Sequence, residues 1–405
     1  MSDKLPRVPK GFRLAGLHCG IKSDEAKEDL TLVVCDHPTV AAGVYTQNKI
    51  FAAPVAIDRE RTPMANLRAV VVNSGNANAC TGQRGLDDAN SMCQAAGDAA
   101  GAAAEEALVM STGLIGEPLP IDKILTGIAA AGEKVAADDD SLLSAARGFM
   151  TTDTVPKLAG RSLSLDGTSV QLTGIAKGAA MIGPNMATML GMIMTDAAIA
   201  PDASQAILSA AVAETFNCIR VEGHTSTNDT VLLLASGAAA GEESNSEALS
   251  GPALDEFGAA VTDICRELAL AIVADGEGTT HVITVDVTGC ESDESAREIA
   301  LAVSDSPLVK TAIAGADPNW GRIVSAAGYA GVTFDTTQVA LKLNGVSLYH
   351  AGEPVEFDAV AVSKSIRDER DVLVELSFGD GDGAARFWTT DLTTEYVRLN
   401  ADYHT

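Results

Sequence analysis

Few residues of this chain have types and spacing that suggest chemistry, and they fall in short runs. The longest is Lys177-Gly178-Ala179-Ala180-Met181-Ile182-Gly183-Pro184-Asn185-Met186-Ala187-Thr188-Met189-Leu190, a lysine followed by uncharged residues. Lys177 can pair with a carboxylate as a point charge; as a solvated surface lysine it would do nothing of the kind. Five of the ten methionines lie between Met181 and Met194. Methionine fills irregular apolar space, so taken by composition the run reads as packed core. Val109-Met110-Ser111-Thr112-Gly113 reads as a strand entering a glycine turn, where Thr112 could cap a helix. Cys35-Asp36-His37 has metal-ligand types, but neighbours on a strand point to opposite faces and no second cluster follows. Asp380-Gly381-Asp382-Gly383 lacks the later ligands of a calcium loop and is read as a hairpin turn. Gly276-Glu277-Gly278 lacks the third glycine of a dinucleotide fingerprint, and neither a Walker sequence nor a Gly-x-Ser-x-Gly elbow is present. No metal site or bound cofactor is expected.

The Lys177–Leu190 run resembles the self-cleavage motif of the ArgJ family, the ornithine acetyltransferases or glutamate N-acetyltransferases. Similar segments run the length of the chain: Asn73-Ser74-Gly75-Asn76-Ala77-Asn78-Ala79-Cys80-Thr81-Gly82, Ser111-Thr112-Gly113, Thr151-Thr152-Asp153-Thr154-Val155-Pro156-Lys157, Thr225-Ser226-Thr227-Asn228-Asp229-Thr230, Asp317-Pro318-Asn319-Trp320-Gly321-Arg322 and Asn400-Ala401-Asp402-Tyr403. The resemblance implies self-cleavage between Ala187 and Thr188, giving an alpha chain 1–187 and a beta chain 188–405. A threonine hydroxyl can attack the preceding carbonyl, which moves the acyl group from nitrogen to oxygen and frees the α-amine; hydrolysis of the resulting ester then separates the two chains and restores the hydroxyl. An α-amine ordinarily titrates near ~7.7, so the new terminus can act as base for its own hydroxyl. By the same resemblance, the Thr112 hydroxyl and the Gly113 N–H stabilise the oxyanion. Thr154, Lys177, Thr188, Glu277, Asn400 and Thr405 are the implied substrate-binding positions, with Glu277 placed to meet an ammonium or else serving as an exposed turn acid.

The implied reaction moves acetyl from N-acetylornithine to glutamate by a ping-pong route through acetyl-Thr188, with acetyl-CoA as a second candidate donor and co-substrate. The implied assembly is a heterotetramer of two alpha and two beta chains. Two other readings compete: an N-terminal-nucleophile amidohydrolase or aminopeptidase that passes the acyl group to water, and an uncleaved metabolite-binding protein. The chain departs from the family's usual form at Ala180, Cys218, His224 and His281. These departures bear on substrate details rather than on the reaction class.

The elements that must position these groups alternate between helix and strand. Val70–Asn73, Val109–Gly113, Thr230–Ala235 and His281–Val287 read as strands, and Arg161–Gly174 as a hairpin about Asp166-Gly167. Helices are expected at Asp87–Leu108, Ile121–Val135, Asp140–Met150, Ala203–Phe216, Pro252–Val273 and Ser292–Val303. From Gly331 onward the pattern turns mainly β, and a smaller α+β subdomain is placed at about 283–385. The hairpins disfavour a purely parallel doubly wound sheet. The expected class is therefore α/β (α+β), a layered sandwich of stacked β-sheets covered by helices. By resemblance it is of the DmpA and ArgJ, N-terminal-nucleophile type.

Composition narrows the partners. Of 405 residues, 55 are acidic and 28 basic, for a formal charge of −27, the wrong sign for neutralising phosphates, so no nucleic-acid partner is expected. The seven cysteines are widely spaced without a CxxC pair, which reads as reduced and mostly buried thiols. The uncharged run 178–195 has the length of a membrane span, but adjacent Pro184 and Asn185 break it. No membrane partner is expected, and the chain reads as a cytoplasmic enzyme.

Overall fold

The computed structural model describes residues 5–183, 189–241 and 247–402, which divide into two compact units. The first contains described residues 5–217 and 224–272. In chain order its strands are β1 (Phe12–Leu17), β2 (Leu30–Tyr45), β3 (Met64–Asn76), β4 (Ala107–Leu114), β5 (Lys157–Leu165), β6 (Thr168–Lys177), β7 (Leu190–Thr195) and, after the two-residue β8 (Ile219–Arg220) of the other unit, β9 (Thr230–Ala235). Hydrogen bonding follows the order β4-β3-β2-β9-β7-β6-β5, with β1 on β2. β3 and β4 are parallel, as are β7 and β9, and the remaining pairs are antiparallel.

This path is not one flat layer, because β2 belongs to two. Its Leu30–Val34 stretch pairs with β3, while Val40–Tyr45 pairs with β9, and the register breaks between Val34 and Thr39 and again before Ala41. The sheet turns on that break. Val33, Val70, Val72, Leu108 and Met110 from one half share a core with Ile175, Leu190, Met192, Met194, Leu232 and Leu234 from the other. The odd-numbered partners Val71 and Val109 face outward, onto α2 (Gly82–Ala100) and α3 (Ile121–Gly132), after the short α1 (Ala53–Arg61). Strands buried on both faces read as continuous apolar runs, which is how β3 and β4 appear in the sequence. α4 (Asp139–Phe149) contributes Leu142 and Phe149 to the inter-layer core. On the outer face of the second layer α5 (Pro201–Glu214) packs on β2 and β9, and Ile264 and Leu268 of α6 (Gly251–Ala274) close on Gly174. The layered α/β class with stacked, helix-covered sheets is thus observed.

The second unit joins Cys218–Gly223 to the described residues from Val273 onward; the sequence places its subdomain at about 283–385. Its strands are β10 (Val282–Gly289), β11 (Ala340–Leu343), β12 (Val346–His350), β13 (Glu353–Pro354), β14 (Asp371–Ser377) and β15 (Gly381–Thr390), in the order β13-β12-β11-β14-β10-β15-β8. Its helices are α7 (Asp293–Asp305), α8 (Pro307–Ala314), α9 (Trp320–Gly328), α10 (Ala359–Asp368) and α11 (Thr394–Asp402).

Local expectations are corrected in three places. The helix expected to reach Leu108 ends at Ala100, where Gly101 turns left-handed at φ 64, and Leu108 is strand. Alanine favours helix through residue 107, but the β3 ladder captures Ala107 onward. The region after Gly331 holds two helices, α10 and α11, that a mainly β reading omits. Finally, 379–383 is no hairpin: β14 and β15 both pair with β10 and flank it. The crossing is close, since a Cβ on Gly289 would sit 2.2 Å from the Gly379 carbonyl oxygen. Turn residues signal a reversal but not which strand lies between.

Candidate functional site

Period-2 alternation decides which side chains meet. On β4, Leu108 and Met110 face the other layer, and Thr112 continues that row; on β6, Ile175 faces it and Lys177 follows two residues later. Opposed layers then bring two polar ends together. Lys177 Nζ donates to Thr112 Oγ1 at 3.2 Å. Lys177 is 1% exposed and Thr112 3%. With its oxygen accepting from a cation, the Thr112 hydroxyl keeps its proton to donate elsewhere. The alternative reading of Thr112 as a helix cap does not hold, because β4 runs on to Leu114.

Gly113 follows with φ 134 and pairs with Gly75 of β3. A Cβ there would lie 2.2 Å from the Gly75 carbonyl carbon, so only glycine permits this approach and leaves the backbone bare beside Thr112. Ser111 Oγ donates to Asn73 Oδ1 at 2.6 Å, and Asn73 Nδ2 donates to Asn76 O at 2.8 Å, which locks the ends of β3 and β4.

A buried charge cluster surrounds Lys177. Asp153 accepts from Lys157 Nζ at 2.7 Å, from the Gly178 N–H at 2.7 Å and from the Thr151 N–H at 3.0 Å. Burial would raise its carboxyl, but the Lys177 and Lys157 ammoniums and these donors hold it down at about 2. Lys22 donates to Glu28 O at 2.6 Å and Met150 O at 2.8 Å. Burial brings it down to about 8, although Asp29 and Asp153 oppose the shift and Lys27 and Lys177 assist it. Asp229, fully buried, accepts the Met189 N–H at 2.9 Å. Burial pushes its carboxyl up to about 8 against that hydrogen bond and the pull of Lys177.

The other sequence-derived positions fall as follows. Thr154 is exposed, next to Asp153. In the second unit Asn400 Nδ2, on α11, donates to Glu277 Oε2 at 3.0 Å, so these two are brought together. Ala187, Thr188 and Thr405 lie outside the described residues. Reasoning from sequence assigned no role to Lys22, Asp153, Lys157, Asn228 or Asp229. Lys22 carries no signal in the sequence, and the last four carry only their place as polar groups inside two of the family-like segments, which does not show that they are buried together.

Three of the four departures are accommodated by packing or backbone, and His224 is exposed. Left-handed backbone falls on Gly178 and Met181 (φ 57), so Ala180 carries no glycine requirement. Cys218 Sγ accepts from Arg297, and the His281 ring nitrogens lie 2.9 Å from Asp391 Oδ2 and Ile366 O. All seven cysteines are free thiols. Among the described residues no group of three potential metal ligands occurs, and no helix is long and apolar enough to cross a membrane.

A helix-covered pair of β-layers places at one strand end a lysine-supported threonine hydroxyl, a donor of the kind that acyl-transfer chemistry uses, beside a backbone without a side chain. The chain belongs to the ArgJ family, whose model matches residues 13–405, and it is an enzyme. It is 46% identical over 398 residues to the arginine biosynthesis bifunctional protein ArgJ of Rhodopirellula baltica, covering 98% of this chain and 96% of that one. The protein of the same name from Rhizobium meliloti is 43% identical, with 97% and 95% covered. The crystal structure of the arginine biosynthesis bifunctional protein argJ from Bacillus halodurans is similar at 38% identity and a TM-score of 0.49, covering 51% of this chain and 96% of that one.

Proposed function

We propose that the protein is a glutamate N-acetyltransferase that works through a threonine exposed by self-cleavage between Ala187 and Thr188. The observation that carries the reading is the Lys177–Thr112 hydrogen bond beside Gly113. It presents a hydroxyl donor, with a bare backbone next to it, in a buried place where a tetrahedral oxyanion can be stabilised. The relatives' name, arginine biosynthesis bifunctional protein, supports the substrate class.

In this reading the Thr188 hydroxyl attacks the acetyl carbonyl of N-acetylornithine while its own α-amine takes the proton. The C–N bond breaks, ornithine leaves with that proton, and acetyl-Thr188 remains. The amine of glutamate then attacks the ester, and N-acetylglutamate departs as the hydroxyl is restored. Lys177 supplies charge for a substrate carboxylate. Glu277 and Asn400 bind the ammonium side, and Thr154 and Thr405 complete the contacts. The word bifunctional fits acetyl-CoA as a second donor to the same threonine. The assembly proposed is two alpha and two beta chains.

The test is purified protein given N-acetylornithine and glutamate, with intact mass measured on the same preparation. N-acetylglutamate with little free acetate, together with a chain beginning at Thr188, is the expected result. Rapid release of acetate moves the assignment to an amidohydrolase, and a single uncut chain in active material removes the mechanism.

A further inference from the structure

The proposed reaction requires two chain segments in register across the layers: the Thr112–Gly113 end of β4, and the chain that enters β7 from Thr188. The buried run Ser226-Thr227-Asn228-Asp229 lies between them. Asn228 reaches the first layer, where its Nδ2 donates to Ala77 O at 2.6 Å and to Ser111 O at 2.9 Å, one residue before Thr112. The next two residues reach the second layer. Asp229 Oδ1 accepts the Met189 N–H at 2.9 Å, and the Thr230 N–H donates to Met189 O at 3.3 Å. Met189 directly follows Thr188, so both backbone polar groups of the first residue after the nucleophile are held. The run is itself anchored to the residue after β2. Thr46 Oγ1 donates to Ser226 O at 2.7 Å, and the Thr46 N–H donates to Asp229 O at 2.9 Å.

We propose that Asn228 and Asp229 form a positioning clamp that sets Thr188 against the Thr112–Gly113 donors, with Asp229 the arm that acts on the nucleophile. This rests on the proposed acyl-transfer reading and adds to it the residues that align its two halves. The chemical state of Asp229 suits the task. Raised by burial to about 8, the carboxyl is mostly neutral at pH 7, so it holds an N–H without setting a negative charge beside a developing oxyanion. The charged group acting on it is Lys177, from β6. The neighbours on its own segment, Ser226, Thr227, Asn228 and Thr230, carry no charge. Above pH 8 the carboxyl ionises, and the added negative charge opposes turnover.

The test compares wild type with Asp229→Ala, Asp229→Asn and Asn228→Ala, each checked for folding by thermal melting. Misplacing reacting groups by about 1 Å costs about 100-fold. Asp229→Ala and Asn228→Ala should therefore slow appearance of the chain beginning at Thr188 and lower kcat by about 10- to 100-fold, with KM for glutamate changed less than about 2-fold. Asp229→Asn retains an acceptor oxygen for Met189, so it should restore most of kcat and lose the decline in rate above pH 8. Wild-type processing and kcat in folded Asp229→Ala overturn the clamp, and so does an unchanged alkaline decline in Asp229→Asn. Should Asp229→Ala fail to fold, Asn228→Ala and the Asp229→Asn pH profile decide alone. If wild type itself shows neither the Thr188 chain nor acetyl transfer, the proposed function fails rather than the clamp.

Discussion

Two groups of polar residues, one in each unit, are built on opposite terms. Around Lys177 the polar groups are buried: Asp153 accepts from three donors, and Lys177 donates to Thr112. Glu277 and Asn400 share one hydrogen bond, between a loop and the exposed face of α11. Removing water strengthens every electrostatic interaction but makes a lost partner costly, whereas an exposed pair can turn to solvent. The first group should therefore couple activity to stability, and the second should tune binding alone.

The largest effect that would break this comparison lies with the nucleophile. Thr188→Ala is expected to abolish both processing and turnover, read as one uncut chain by intact mass and no N-acetylglutamate; appreciable activity refutes the assignment. Thr112→Ala should come next, lowering kcat by about 100- to 1,000-fold, the scale of a lost oxyanion donor, without preventing folding. Lys177→Met removes a cation that holds Asp153 ionised. It should cost about 3 to 5 kcal/mol in denaturant unfolding, as expected when one member of a buried ionic set is lost.

Acid titration separates the two groups more gently. Asp153 is held at about 2, below its ordinary value, so its stabilisation is complete above about pH 4 and fades as pH falls toward 2. The loss should amount to about 2 kcal/mol and be absent in Asp153→Asn. Asp229 has the opposite sign. Raised to about 8, it costs stability as pH climbs from about 4 toward 8, so Asp229→Asn should melt at a higher temperature than wild type at pH 7. The smallest effect belongs to the exposed pair: Asn400→Ala should raise KM by about 5-fold, the worth of about one hydrogen bond, with melting unchanged. A large loss of stability there would erase the contrast between the two groups.

Much of the first unit was legible because its signals are local. Thr230–Ala235 is a strand over the expected residues, and Asp166-Gly167 turns the expected hairpin, with Asp166 at φ 48. The cluster about Asp153 was not legible. An acid four residues before a lysine looks like any solvated pair until neighbouring strands bury it. Nor could residue types place β10 between β14 and β15, since strand order depends on contacts distant in sequence.

The sequence by itself determined the rows. Alternation along β4 and β6 commits Thr112 and Lys177 to the same faces as Met110 and Ile175, because side chains of a strand repeat every two residues. Tertiary structure alone decided that those faces oppose each other, through the register break at which β2 leaves β3 for β9. Burying both apolar rows in one core brings the polar ends together and takes them out of water; that burial raises the Asp229 carboxyl, while the lysines gathered beside Asp153 hold its carboxyl low against it.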